Sequence, residues 1–202
     1  LVQLPVRVRT VPDLDELVSG RAGFTDLRYL RVEDLLGREA IPPRDELIEA
    51  SVAGRCVMVT GAGGSIGSEL CRGVIANGCT RLVVVERSEP SLFEIDSSLR
   101  RAFKGFDIHA VLADVRDTAA MREAMQTHGV QTIFHAAAHK HVPLMEAQPA
   151  EALRNNTLGT VDLAEAARAA GVERFVFIST DKAINPTSVM GASKRLAEVH
   201  LQ

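Results

Sequence analysis

From Ser51 onward, short continuous apolar runs alternate with stretches of helical spacing. Cys56–Thr60, Leu82–Glu86, Ile108–Leu112, Thr132–His135 and Arg174–Ser179 read as five strands. Runs such as Val83-Val84-Val85 leave no polar face, as a strand buried on both sides requires. Helical spacing covers Ser65 to Asn77, Thr118 to Thr127, Ala150–Ala170 and Val189–Leu201, with Gly78 and Gly171 as stops. This alternation predicts βαβ units. The expected fold class is α/β, a Rossmann-type doubly wound parallel sheet covered on both faces.

Residues 1–50 follow another pattern. They hold four of the eight prolines, Pro5, Pro12, Pro42 and Pro43. Val6–Val11 alternates enough for a strand end, and Leu14–Val18 and Val32–Leu36 each suit one or two helical turns. The periodic apolar length is too short for a separate core. Residues 1–50 are therefore expected to be a lead-in from a preceding domain, with the main domain over 51–202.

Composition removes several function classes. The 202 residues, 46% of them hydrophobic, suffice for one domain with a sizeable core. A net charge of −3 argues against nucleic acid held on a basic surface. No apolar run approaches the roughly 18–20 residues of a membrane span, so this stretch is expected to make no membrane contact. The start, Leu1-Val2-Gln3-Leu4-Pro5, lacks an initiator Met and a basic-then-apolar leader, so nothing argues for export. Cys56, Cys71 and Cys79 form no CxxC or other metal spacing and suggest reduced thiols, Cys71 and Cys79 as packing groups. Aromatics at 4% with no Trp disfavour a stacking platform for single-stranded nucleic acid or glycans.

The first candidate chemistry lies where strand one enters the first helix. Thr60-Gly61-Ala62-Gly63-Gly64-Ser65-Ile66-Gly67 spaces Gly61, Gly64 and Gly67 as GxxGxxG. Glycines there permit a tight turn, close approach of a pyrophosphate and close helix–strand packing. The amides at Ser65 and Ile66 open the helix with a positive dipole end toward phosphate. A glycine turn alone can be a mere connector. An acidic residue ending strand two supplies the missing context: Glu86, 19 residues beyond Gly67, suits the adenosine ribose hydroxyls of NAD. Arg87 would instead pair with the 2′-phosphate of NADP, or is a solvated loop charge. Asp114-Val115 follows strand three, where a carboxylate meets the adenine amino group or simply caps a helix.

Three further stretches are more specific. They are His135-Ala136-Ala137-Ala138-His139-Lys140-His141-Val142-Pro143, Asn155-Asn156-Thr157-Leu158-Gly159-Thr160, and Ser179-Thr180-Asp181-Lys182 with Met190-Gly191-Ala192-Ser193-Lys194. With the glycine turn they resemble the extended short-chain dehydrogenase/reductase superfamily, in particular its polysaccharide-biosynthesis branch. Nucleotide-sugar 4,6-dehydratases acting on UDP-N-acetylglucosamine belong to that branch. The likeness runs from about Val32 to Gln202, and Val32–Glu39 resembles the segment that precedes the domain in the branch.

The resemblance implies a role for each matching residue. Ala136, Ala137 and Ala138 form the small-residue turn that lets the cofactor pass. Asn156 orders active-site backbone and water, Thr180 hydrogen-bonds the substrate hydroxyl, and Lys194 contacts the nicotinamide ribose. Asp181 and Lys182 serve as the acid and base that remove water. In such enzymes the sugar is oxidised at C4 by bound NAD(P), water is lost across C5 and C6, and the hydride returns to C6. Physically, Lys182 acts as a base only with a depressed pKa, and Asp181 as an acid only with a raised one. The plainer reading of Asp181-Lys182 is a strand-end turn with an exposed ion pair.

One position departs from the superfamily. Four before Lys194, where tyrosine is usual, stands Met190, and the only tyrosine is Tyr29. A thioether shuttles no proton, so either another group deprotonates the C4 hydroxyl or the branch relies on Thr180, Asp181 and Lys182; Met190 also suits helix packing. His135, His139 and His141 alternate, and strand spacing would put them on one face. No carboxylate or cysteine is spaced to complete a metal site, so none is expected; Lys140 and His141 are candidates for the sugar-nucleotide site.

The resemblance also implies a longer protein. The chain is expected to be incomplete at its C-terminus, lacking the substrate region, and inactive alone. It would be a cytoplasmic domain of a larger, membrane-anchored inner-membrane protein and a homo-oligomer with a UDP-sugar substrate. A nucleotide-sugar epimerase and a non-catalytic NAD(P)-binding domain are the alternatives.

Overall fold

The computed structural model describes residues 9–11, 18, 19, 23, 28, 29 and 44–202. The chain divides into two compact units, residues 1–43 and 44–202. In the first, strand β1 (Arg9–Thr10) pairs antiparallel with β2 (Arg28–Tyr29). Thus part of the Val6–Val11 expectation is a strand. The Val32–Leu36 turn and most of Leu14–Val18 lie outside the described residues.

The second unit begins with helix α1 (Asp45–Val52) and continues β3 (Cys56–Thr60), α2 (Ser65–Ala76), β4 (Arg81–Glu86), α3 (Glu89–Ala102), β5 (Ile108–Leu112) and α4 (Thr118–His128). Then come β6 (Thr132–His135), α5 (Val142–Ala147), α6 (Pro149–Ala152), a π-helical turn (Leu153–Leu158), α7 (Gly159–Ala169), β7 (Arg174–Phe177), a 3-10 turn (Asp181–Ala183) and α8 (Val189–Leu201). The five strands pair in parallel in the order β5-β4-β3-β6-β7. Chain order reverses between β3 and β6, and that reversal opens a crevice at the carboxyl ends of the strands.

The unbroken apolar runs now have a physical reason. Val57, Val59, Leu82 and Val84 pack against α2 and α3 on one face. Met58, Val83, Val85 and Ile133 pack against α4 and α7 on the other. Alternate residues thus enter opposite cores, and neither face is left for a polar side chain.

Five local features differ from the sequence reading. Helix α3 buries only Leu92, Ile95 and Leu99, a stripe too thin to stand out beside the exposed Phe93. Helix α1 lies in what read as lead-in, yet Val52 is buried and Ile48 packs on the same core. The short helix α5 also went unpredicted. The single helix expected over Ala150–Ala170 is three pieces, α6, the π turn and α7, because Asn155, Asn156 and Thr157 turn inward. The last strand ends at Phe177 rather than Ser179, leaving Ile178–Thr180 to lead into the 3-10 turn.

Candidate active site

The glycine turn is shaped by what a side chain would strike. Gly61 has φ of 65°, and a Cβ there would lie 2.7 Å from the Ala137 amide nitrogen. A Cβ on Gly67 would enter the Gly61 carbonyl oxygen. The turn after β3, the first turn of α2 and the alanine turn after β6 are thereby held at backbone contact. Helix α2 starts at Gly64 with no side-chain cap, unlike α4, whose Asp117 accepts from the Ala120 amide. An uncapped helix start at the end of a strand presents amide donors and a positive dipole end.

Glu86 closes the turn from the next strand. Its carboxylate accepts from the amides of Gly63 (3.2 Å), Arg87 (2.9 Å) and Ser88 (3.2 Å). A cavity of about 210 Å³ runs along this edge, lined by Gly61, Gly64, Glu86 and the exposed Arg87. Asp114, Val115 and Ala136–Ala138 also line it. Asp114 is not a free acceptor: Arg116 donates to it at 2.7 Å and also reaches Glu151 at 3.0 Å. The guanidinium holds the Asp114 carboxyl below the usual carboxylate range.

A larger cavity of about 520 Å³ shares Gly61, Gly64, Ala136, Ala138 and His139 with the first. Ser65, Ile66 and Gly67 line its helix side, and Lys140 and His141 its loop side. Thr180, Lys182, Met190 and Lys194 bring in the turn after β7 and helix α8. Residues 130 positions apart in sequence, from Gly64 to Lys194, therefore border one space.

Lys194 is 4% exposed. Its Nζ donates to the Ile178 carbonyl at 2.6 Å and lies 3.8 Å from the centre of the Phe177 ring. Burial pushes the amine down to about 8, only weakly opposed by Glu198. The helix carrying it is fixed at its start: Ser188 accepts from the Gly191 amide and Glu146 of α5 from the Val189 amide. A Cβ on Gly191 would overlap the Lys182 carbonyl oxygen, so α8 sits directly on the 3-10 turn.

Asn156 borders neither cavity. It is fully buried in the π turn, and its carboxamide clamps the backbone of residue 139. Oδ1 accepts from the His139 amide at 2.8 Å, and Nδ2 donates to the His139 carbonyl at 3.0 Å and to Ser193 at 3.0 Å. π turns inserted in α-helices cluster at functional sites, and here the insertion aims three polar side chains inward.

One expectation is corrected, that the three histidines share a strand face; Asp181 and Met190 have surroundings of their own. Asp181 needs a raised pKa to serve as an acid, but it is 68% exposed at its side chain and its pKa is lowered. Thr180 donates to it at 2.9 Å and Lys182 at 3.2 Å, and both bonds favour the carboxylate. The histidines do not share a strand face, since β6 ends at His135. That residue is buried, whereas His139 and His141 stand in the following loop. Met190 is 4% exposed against Met145 and Ala152, so its thioether packs the cavity wall.

The family described as "Polysaccharide biosynthesis protein" matches residues 57–202. The chain belongs to that family. It is 41% identical to the capsular polysaccharide biosynthesis protein CapD of Staphylococcus aureus over 98% of this chain and 33% of that protein. It thus spans about a third of that curated relative. A UDP-glucose 4-epimerase from Stenotrophomonas maltophila, solved with bound NAD and formylated UDP-arabinopyranose, superposes with a TM-score of 0.64. That match is 26% identical and covers 73% of this chain and 47% of the other. DesIV, a dTDP-glucose 4,6-dehydratase from Streptomyces venezuelae solved with NAD, gives 0.62 at 26% identity over 72% of this chain and 50% of the other. Family membership and fold together place the chain in the polysaccharide-biosynthesis branch of the extended short-chain dehydrogenase/reductase superfamily, beside nucleotide-sugar epimerases and dehydratases.

Several members of the site carried no sequence signal. Glu146, capping α8, and the Arg116–Glu151 pair become visible only once the chain is folded. Among the described residues, no group of three His, Cys, Asp or Glu side chains is arranged to hold a metal, and no helix is long and apolar enough to cross a membrane. The three cysteines are buried and free, and burial pushes the Cys71 and Cys79 thiols up to about 12.

Proposed function

We propose that the chain is the dinucleotide-binding and catalytic part of a nucleotide-sugar 4,6-dehydratase with a UDP-N-acetylglucosamine-type substrate. One observation carries the reading. Thr180, Lys182 and Lys194 line the same cavity as the Gly61–Gly67 turn, with Asp181 in the connecting turn. Acid–base side chains therefore border the space where a dinucleotide would end.

The cradle fits such a cofactor. Backbone contact at Gly61 and Gly67 excludes every side chain, and the α2 start is uncapped. Gly61, Gly64, Ser65 and Ile66 would hold the pyrophosphate. Glu86 would take the ribose hydroxyls, which favours NAD over NADP despite Arg87 beside it; Ala136–Ala138 would pass the nicotinamide side. When bound, the nicotinamide supplies the hydride store that makes C4 a ketone and restores the hydride at C6.

The chain's own groups supply the proton chemistry. Thr180 holds the C4 hydroxyl, and the buried Lys194 amine, at about 8, is poised to exchange its proton near neutral pH. A C4 ketone acidifies the C5 proton, which the Lys182 amine receives after its ammonium has passed a proton to Asp181 across their 3.2 Å contact. Asp181 delivers a proton to the departing C6 hydroxyl, so one water leaves for each C5–C6 double bond formed. For that donation Asp181 must lose its exposure, which requires a cover over the turn. A larger, membrane-anchored and self-assembling protein, with this part in the cytoplasm, belongs to the same proposal, since the curated relative is about three times as long.

The exposure of Asp181 and its lowered pKa favour a second reading, a nucleotide-sugar epimerase, in which no leaving group needs an acid. Incubating the full-length protein with UDP-N-acetylglucosamine and NAD⁺ and weighing the product separates the readings. Loss of one water supports the dehydratase. An unchanged mass with inverted configuration makes it an epimerase, and no new product leaves a cofactor-binding domain.

A further inference from the structure

His135 ends β6 and is fully buried, and the chemistry above does not use it. Its Nδ1 lies 2.7 Å from Thr60 Oγ1 and its Nε2 3.0 Å from Thr160 Oγ1. Thr160 spends its single hydroxyl hydrogen on the Asn156 carbonyl at 2.8 Å. It can only accept from the imidazole, so the hydrogen sits on Nε2 and Nδ1 accepts from Thr60. The proton placement follows from hydroxyl valence alone.

The two hydroxyls belong to the segments that meet at the site. Thr60 immediately precedes Gly61, and Thr160 immediately follows the π turn and Gly159. The imidazole also stacks on Phe177 at 5.8 Å with planes 20° apart, and Phe177 is the ring beneath the Lys194 ammonium. Burial and the Lys194 charge push His135 down to about 3, so the ring stays neutral. A charged imidazole here would repel Lys194 across one aromatic ring. Among the described residues, Lys194 is the charged group that acts on His135.

We propose that His135 is a positioning residue. Its neutral imidazole pins the Asn156 carbonyl through Thr160 and the Phe177 ring by stacking, and so sets where Lys194 stands. The proposal rests on the enzymatic reading above. The two ring nitrogens tie the end of β3, just before the glycine turn, to the start of α7, just after the π turn. An apolar replacement would leave Thr60 and Thr160, both fully buried, without their ring partner.

The test uses the full-length protein with His135→Phe, Thr160→Val and Thr160→Ser. Two readouts are needed. Nitrogen NMR of the histidine ring in the wild type should show one neutral Nε2–H tautomer from about pH 5 to 9. Titration in that range, or an Nδ1–H tautomer, overturns the proposal without reference to any activity. In steady-state kinetics, His135→Phe and Thr160→Val should lower kcat by about 30-fold with KM within about threefold, and Thr160→Ser should recover most of it. A merely structural role predicts a lower Tm with unchanged kcat per folded molecule, and that result overturns the proposal. Should the wild type turn over no sugar nucleotide, the function fails separately. Amide exchange of residues 153–158 then decides alone: acceleration of about tenfold in His135→Phe but not in Thr160→Ser supports positioning, and equal exchange overturns it.

Discussion

The two halves of the candidate site are built from different materials. The dinucleotide half is backbone: glycine turns in contact with one another, an uncapped helix start and a carboxylate spent on amides. The proposed catalytic half is side chains, an exposed ion pair on a short turn and a buried amine on α8. Backbone half-sites tolerate no added atoms. Side-chain half-sites tolerate substitution structurally and lose chemistry. Each variant should therefore damage one property and spare the other.

The backbone half should break at Gly67→Ala. The new methyl would meet the Gly61 carbonyl, where neither backbone yields cheaply. NAD⁺ affinity by calorimetry should fall by about 100-fold or more, or the protein should fail to fold. Retained affinity would show that the cradle is softer than described.

Lys194→Met addresses the other half. It should remove turnover by about 1000-fold while folding is kept, because a buried amine is exchanged for an apolar chain of similar length. Stability also carries a sign. The folded amine sits at about 8 against 10.5 unfolded, so the unfolded chain binds this proton more tightly. Wild-type stability should rise relative to the variant as pH increases from about 8 to about 10.5, by up to about 3 kcal/mol. Urea unfolding at several pH values checks it, and a flat difference would mean the amine is not buried.

A sharper cut comes from Gly191→Ala, which pushes on the Lys182 carbonyl from helix α8. We expect kcat lower by about tenfold with NAD⁺ affinity within about twofold, since the cradle is not touched. Equal loss of both would merge the two halves. The smallest structural effect belongs to Asp181→Asn. Its ion pair is exposed, so Tm should move by no more than about 2 °C even as turnover falls.

The same contrast explains what was legible beforehand. Glycine spacing and Val83–Val85 could be read because backbone contact and two-sided burial restrict residue type directly. Lys194, Thr180 and Asn156 were reached by resemblance, and folding then showed how each is held. The state of Asp181 was not legible, since its pKa depends on exposure and on Thr180 and Lys182. Helix α3 was hidden by having three buried residues, and the π turn by an extra residue that no periodicity announces. His135 looked like one of three alternating histidines until the strand ended beneath it.

Asn156 has one more consequence. Its carboxamide presents one acceptor and one donor to residue 139, as a single rung of a neighbouring strand would. That grip reads only main-chain atoms. The backbone at residue 139 is therefore held from below by the π turn, independently of the side chain that position bears. On the proposed function, Lys140 and His141 can be exchanged to suit a different sugar, since neither lines the cavity beside Glu86. Recognition and framework are in this respect separable, which makes the loop the natural place to re-engineer substrate preference.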